Sequence, residues 1–274
     1  MTVDVSVVIP TCRRNDELLA AIASVQRQKS VTFEIIVVDD SPEGEARAPV
    51  EGLGDPRITY LRTDQPTGGI PSIVRNVAWP RAVGTLLHFL DDDDIVPEGH
   101  YARVKALFER RPEIGLIFGR IVPFGTCSPE QLRAEEAYFA NAAHRARICG
   151  RIGARRVFAG QMLFDNPLLV CSAGILRRGA VAQTGGFDPR IRLMEDADFY
   201  ARIMRESGAA FLDDIALHYR ISHVSLMHRP DPPPGQIEEQ RSGRRHMQAK
   251  YLRQHGAAEF YALAAFARLI VSRL

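Results

Sequence analysis

VDVSVVIPTCRRNDELLAAIASVQRQKSVTFEIIVVDDS, residues 3–41, decides the fold. Residues 3–9 are apolar and β-branched at nearly every position, the pattern of a strand covered on both faces. Pro10 ends that strand's ladder. Asn15 is placed to cap the next segment, where Leu18, Leu19, Ile22 and Val25 recur at helical spacing. A second buried-type strand, 33–38, stops in Asp39 and Asp40. Strand, helix, strand in that order predicts a βαβ unit, with a parallel pair and a right-handed crossover.

Working outward, the same grammar continues. A short strand is expected at 58–61, a turn at Gly68-Gly69, a helix over 71–82 and a strand over 85–90 that ends in Asp91, Asp92, Asp93 and Asp94. Pro97 opens a helix over 98–110, and 115–122 reads as another strand. Beyond Gly125 the regularity falls away. Residues 128–147 read as a polar helix, and the glycine-punctuated basic stretch 147–156 fits no element. Strands are expected at 168–176, 211–212 and 216–221, with a helix at 195–206 that sets Phe199 and Ile203 on one face. HRPDPPPG, 228–235, reads as a stiff linker, and 236–274 as a helical appendage. The expected organisation is 1–96 and 97–227 as two halves of one α/β domain, followed by 228–274. No internal repeat is evident.

The bulk numbers exclude several functions. A chain of 274 residues, 46% of them hydrophobic, can bury a substantial core. Its net charge of +2 creates no global field for nucleic acid or an anionic membrane, so any charge-based function is local. Cys12, Cys127, Cys149 and Cys171 form no CxxC pair, which argues against a zinc or redox motif and for reduced thiols. MTVDVSVVIPT lacks the charged and apolar regions of a signal peptide, and no stretch reaches the ~20 apolar residues that span a bilayer. The expected compartment is the cytoplasm, either free or peripheral at the inner face of the membrane.

Two acidic clusters, Asp39-Asp40 and Asp91 to Asp94, sit at the carboxyl ends of parallel-type strands, where open α/β sheets hold ligands. Four consecutive aspartates repel one another unless a cation or donors offset the charge. Mg²⁺ or Mn²⁺ held by one or two carboxylates and completed by substrate phosphates would do so. The plain alternative is a solvated loop whose last aspartate caps the next helix.

Seven segments, in order, resemble the signatures of family 2 glycosyltransferases: VSVVIPT (5–11), EIIVVDDS (34–41), VRN (74–76), HFLDDDD (88–94), GGFDPR (185–190), EDADFYAR (195–202) and YRISHVS (219–225). The resemblance spans roughly residues 3–226. It implies a GT-A-like, mostly parallel sheet flanked by helices, and metal-dependent, inverting transfer from a nucleotide sugar. Carried onto matching positions, it implies that Pro10 and Thr11 line the nucleobase pocket, with Arg13 on the same loop. Asp40 would accept from a base ring N–H with Asp39 in support, and Arg75 would contact the nucleotide. Asp91 and Asp92 would touch ribose or diphosphate, Asp93 would bind the metal and His223 would complete its shell. A register shift of one within the aspartate run stays open.

Glu195-Asp196 resembles the family's acidic motif at the acceptor-side helix, which makes Asp196 the catalytic base. A carboxylate at a helix N-terminus is electrostatically favoured and would stay ionised. The plain alternative is that these acids only stabilise the first helical turn. His88, inside a buried-type strand, reads as structural.

The expected partners are a nucleoside-diphosphate sugar, uridine by family frequency, and a hydroxyl acceptor that is a saccharide, a lipid-linked glycan or a small molecule. Residues 128–170, with Arg147, Arg151, Arg155 and Arg156, are the expected acceptor side. Two competing functions stay open. A sugar-phosphate nucleotidyltransferase would normally carry a glycine-rich early loop, which Thr11-Cys12-Arg13-Arg14 lacks, and a non-catalytic nucleotide-binding or scaffold module is the other. The apolar C-terminal segment 258–274 is open to packing on its own domain, to homodimer formation or to peripheral membrane contact.

Overall fold

Strand β1 (Val5–Thr11) is buried on both faces because it lies inside the sheet, with β2 (Phe33–Asp39) and β4 (Leu86–Phe89) parallel to it on either side. The computed structural model describes residues 2–153, 155–164, 167–221 and 234–271. Among these, β3 (Ile58–Arg62) extends the sheet beyond β2, and β6 (Gly174–Arg177) runs antiparallel between β4 and β5 (Leu116–Gly125). β7 (Ala209–Ile221) closes the far edge parallel to β5, giving the order β3-β2-β1-β4-β6-β5-β7. With β6 alone reversed, the carboxyl ends of the other six strands open on one side.

Helices α1 (Asn15–Gln26), α2 (Arg47–Glu51), α3 (Pro71–Ala78) and α4 (His100–Arg110) belong to the first half. Then come α5 (Pro129–Ile152), α6 (Arg155–Phe164), α7 (Arg178–Thr184), α8 (Glu195–Ser207), α9 (Gln236–His255) and α10 (Ala257–Val271). This is the α/β, GT-A-like layout expected, with a shared core. Val7, Ile35, Leu87 and Leu116 of the sheet pack with Leu18, Tyr101, Phe199 and Ile203 of the helices, all fully buried.

Several boundaries differ from the local pattern, each for a tertiary reason. Asn15 does not cap α1; its amide donates to the Glu45 carbonyl at 3.2 Å. The strand expected over 168–176 shrinks to Gly174–Arg177, after a tight turn at Cys171–Ala173. The Tyr200 hydroxyl donates to the Cys171 carbonyl at 2.5 Å, and a Cβ on Gly174 would sit 2.9 Å from that ring. The two short strands expected at 211–212 and 216–221 are one strand, whose register against β5 shifts around Arg120 to accommodate Asp213-Asp214. The unplaced basic stretch is the α5–α6 junction, with Gly153 in the left-handed conformation that ends α5.

The C-terminal helices lie on the domain. Leu263, Ala267 and Ile270 of α10 are buried, with Leu263 against Gly160 of α6. Glu259 accepts from Arg205 at 2.8 Å, Arg156 at 2.6 Å and the Tyr251 hydroxyl at 2.6 Å. No described helix is long and apolar enough to cross a membrane. All four cysteines are free.

His88 is structural: its ring nitrogens meet the Tyr101 hydroxyl and the Ser172 carbonyl, both at 2.8 Å. His100 is buried with Nδ1 unpartnered, and burial pushes its pKa down to about 3. In the unfolded chain the same ring titrates near 6.5, so as pH falls below that value the unfolded state takes up a proton the native state refuses. The stability tied to His100 is therefore present above about pH 6.5 and drains away towards its folded pKa. Thermal melts of His100→Leu are expected to match wild type or better at pH 7. The variant's advantage should widen as pH falls from 6.5 to 4.

Candidate active site

The parallel register of β1, β2 and β4 brings Thr11, Asp39-Asp40 and the aspartate run to one edge. Asp39 is fully buried and accepts from the Ser41 amide at 2.8 Å, the Ala46 amide at 2.9 Å and the Tyr60 hydroxyl at 2.9 Å. Those three donors make it the organiser of the turn after β2. Asp40 accepts from the Thr63 hydroxyl at 2.9 Å, and from the Thr67 amide and hydroxyl at 2.8 and 2.7 Å. It thereby holds the loop carrying Gly68 and Gly69, both at positive φ.

Pro10 pairs in register with Val38 at the end of β1, and the Thr11 hydroxyl donates to Asp92 at 2.7 Å. The chain then turns through Arg13 at φ 58°, which sends two adjacent arginines apart. Arg13 points outward to Glu45 at 3.2 Å, whereas Arg14 turns in and donates to Asp93 at 2.5 Å, with Asp92 at 3.4 Å.

Arg75 lies across the centre with its side chain 4% exposed, one nitrogen 2.7 Å from Asp91 and another 2.7 Å from Glu195. The guanidinium also sits over the Phe187 ring at 5.2 Å. One buried cation thus joins the end of β4 to the start of α8. Asp94 accepts from the Arg220 amide at 2.9 Å, while its second oxygen is buried without a partner.

Charge in the run is only partly offset. Burial pushes the Asp92 carboxyl up to about 7 against the pull of Arg14. Burial, reinforced by neighbouring aspartates, also raises Asp93, and Asp94 more strongly.

Among the described residues no three ligating side chains converge. Asp91 and Asp93 keep 32% and 14% of their side chains exposed beside this uncompensated charge. That donor set fits one hard divalent ion held by one or two carboxylates and completed by phosphate oxygens. His223 lies outside the described residues.

Glu195 and Asp196 begin α8, directly after Met194 in the left-handed region at φ 74°. Asp196 is partly buried and accepts from the Ala197 amide at 2.7 Å. The helix terminus does not keep its pKa low. Burial and then the Glu195 charge push it up to about 7 against the opposing pull of Arg75.

Sequence reasoning missed Arg14, Thr63, Thr67, Ser172 and Arg220. Ser172 accepts from the Asp91 amide at 3.0 Å, and Arg220 donates to the Asp93 carbonyl at 2.8 Å. A basic residue after VSVVIPT was a usable signal for Arg14, but nothing local told which of two adjacent arginines faces inward. Arg147, Arg151 and Arg155 line a cavity of about 520 Å³ with Gly208 and Phe211. That cavity is at the far end of α8 from Asp196, roughly 20 Å along the helix axis.

A family model described as "Glycosyl transferase family 2" matches residues 6–182. An uncharacterized glycosyltransferase of Haemophilus influenzae is 25% identical over 73% of this chain and 62% of its own length. The Escherichia coli UDP-Glc:alpha-D-GlcNAc-diphosphoundecaprenol beta-1,3-glucosyltransferase WfgD is 33% identical over 33% of this chain and 35% of its own. The chain therefore spans between about a third and 62% of these relatives. The S. aureus TarS 1-349 structure in complex with UDP-GlcNAc superimposes with a TM-score of 0.68 at 17% identity, covering 96% of this chain and 70% of that one.

Arg75→Met leaves two carboxylates facing an apolar side chain in a buried site, and removing one partner of a buried pair typically costs about 3–5 kcal/mol. Chemical denaturation should show a loss of that order. A loss below about 1 kcal/mol, the range of exposed pairs, would show that the clamp is solvated.

Proposed function

The chain belongs to glycosyl transferase family 2, and from that premise we propose that it transfers a sugar from a nucleoside-diphosphate donor, UDP by preference, to a hydroxyl acceptor with inversion. The observation that carries this reading is the Arg75 clamp, which holds the aspartate run and the Glu195-Asp196 turn on one guanidinium. Donor-side and acceptor-side carboxylates are thereby fixed relative to each other. Residues 1–96 act as the donor half and 97–227 as the acceptor half. The uridine preference draws on WfgD, whose name specifies UDP-Glc, and on the UDP-GlcNAc held by TarS.

In this reading Pro10 and Thr11 line the nucleobase pocket, and Asp40 accepts a ring N–H in place of the Thr67 hydroxyl. Asp91 and Asp92 face the ribose and diphosphate. Asp93, with His223, would hold Mn²⁺ or Mg²⁺, which when bound supplies positive charge to the departing diphosphate. Asp196 removes the acceptor hydroxyl proton. The acceptor oxygen then bonds to the anomeric carbon from the face opposite the leaving group, as the bond to the diphosphate oxygen breaks. One displacement leaves the proton on Asp196 and inverts the sugar's configuration.

A base with a pKa of about 7 is half ionised at neutral pH, close to the value that general-base catalysis favours. Since only its ionised form accepts a proton, kcat/KM should rise with pH and level off above about 7. Asp196→Asn should remove that limb and lower turnover roughly 10²–10⁴-fold while leaving donor binding nearly unchanged. Turnover close to wild type in this variant would discard the base assignment.

Metal dependence is checked separately by calorimetry. UDP should bind more tightly with Mn²⁺ present than after EDTA, because the diphosphate completes the ion's shell. Equal affinities would remove the metal from the proposal.

A further inference from the structure

Helix α9 follows the turn that carries Asp196 along its whole length. At its start, Glu239 meets Arg192 at 3.5 Å, and Arg192 also donates to the Gly68 carbonyl across the site at 3.3 Å. Midway, Gly243 lies so close to the backbone that any Cβ there would overlap the Leu193 carbonyl oxygen. Near its end, the Lys250 ammonium reaches Asp188 at 3.0 Å, and both oxygens of Asp198 at 2.9 and 3.1 Å. From Glu239 to Lys250 the helix runs about 17 Å.

The two carboxylates that Lys250 bridges bracket the turn. Asp188 precedes it and Asp198 follows it, at 7% and 2% exposure, with Glu195 and Asp196 between them. The bracketed backbone is not relaxed, since Met194 occupies the left-handed region that non-glycine residues seldom adopt. A conformation of that kind persists only where its surroundings over-determine it. Around this turn those surroundings include the Arg75 contact to Glu195, helix α9, and Phe187 stacked on Phe199 with ring centroids 4.2 Å apart.

Arg190 and Arg202 also pair with Asp188 and Asp198, each at close range, so charge neutralisation alone does not require Lys250. What Lys250 adds is a tie from both ends of the turn to one rigid helix.

We propose that α9, through Gly243 and Lys250, is a positioning element that fixes the backbone of the Asp196 turn, so that the C-terminal helices form part of the catalytic unit. The inference rests on the reading of Asp196 as the base. A misplacement of about 1 Å can lower turnover by up to about 10²-fold without removing any reacting group.

The test compares full-length Lys250→Met, Lys250→Arg and Gly243→Ala by release of nucleoside diphosphate from UDP-sugars and by hydrogen exchange. Lys250→Met and Gly243→Ala should each lower kcat by at least about tenfold with UDP affinity within a factor of about two, and Lys250→Arg should recover most of the loss. Exchange of the 192–198 amides should accelerate at least about tenfold while that of 33–39 stays unchanged.

If Lys250→Met does not fold, the Asp198→Asn/Lys250→Met double variant, which also removes the carboxylate that loses two hydrogen bonds, is expected to fold with kcat still low. Wild-type kcat in either Met variant, or unchanged exchange at 192–198, overturns the inference. Equal loss of UDP affinity and kcat also overturns it, since that is the signature of global destabilisation. Wild-type protein that turns over no nucleotide sugar would instead sink the catalytic reading, while exchange at 192–198 still decides the positioning role.

Discussion

The guanidinium of Arg75 is the point at which the molecule's charge problem is solved. Two carboxylates from segments more than a hundred residues apart, Asp91 and Glu195, approach it at 2.7 Å, and the Arg75 side chain between them is only 4% exposed. Paired through one planar cation they stay together, and the ends of β4 and α8 stay with them. Arginine suits this role because its fork serves two acceptors at once and keeps its charge when buried.

The same economy explains the neighbouring acids. Arg14 and Thr11 engage Asp92 and Asp93, yet burial still raises both carboxyls. Burial of this kind disfavours the ionised forms in the empty protein, and in the function proposed here a divalent cation would offset their charge. Asp39 is the contrasting case. Its three donors are all internal, so it shapes the turn that presents Asp40.

Reversal of β6 between β4 and β5 lets α8 and β7 return on the far side of the site while six strand ends still face the same way. The sheet supports the Asp196 turn through the Arg75 clamp and through Phe89 of β4, whose ring meets Phe187 and Phe199 at 4.9 and 5.7 Å. Further support comes from α9 through Lys250. The C-terminal segment, which composition alone presents as an appendage, is packed where the fold most needs a rigid wall.

The amino-acid sequence by itself determined the βαβ opening, the parallel strands ending in acid, and the helix that begins at Glu195. These are written in short-range periodicity and in runs of like residues, which neighbouring positions encode without help from the rest of the chain. Tertiary structure decided which groups those acids face. Arg14 rather than Arg13 turns inward because of one positive φ, and Thr67 fills Asp40 because a glycine turn folds over it. Asp196 sits near neutral pKa because burial and Glu195 outweigh the helix terminus. Arg14 and Asp93 are 79 residues apart, Asp40 and Thr67 are 27 apart, and the Asp196 shift depends on solvent exclusion; neither separation nor exclusion is resolved until the chain has crossed over and packed.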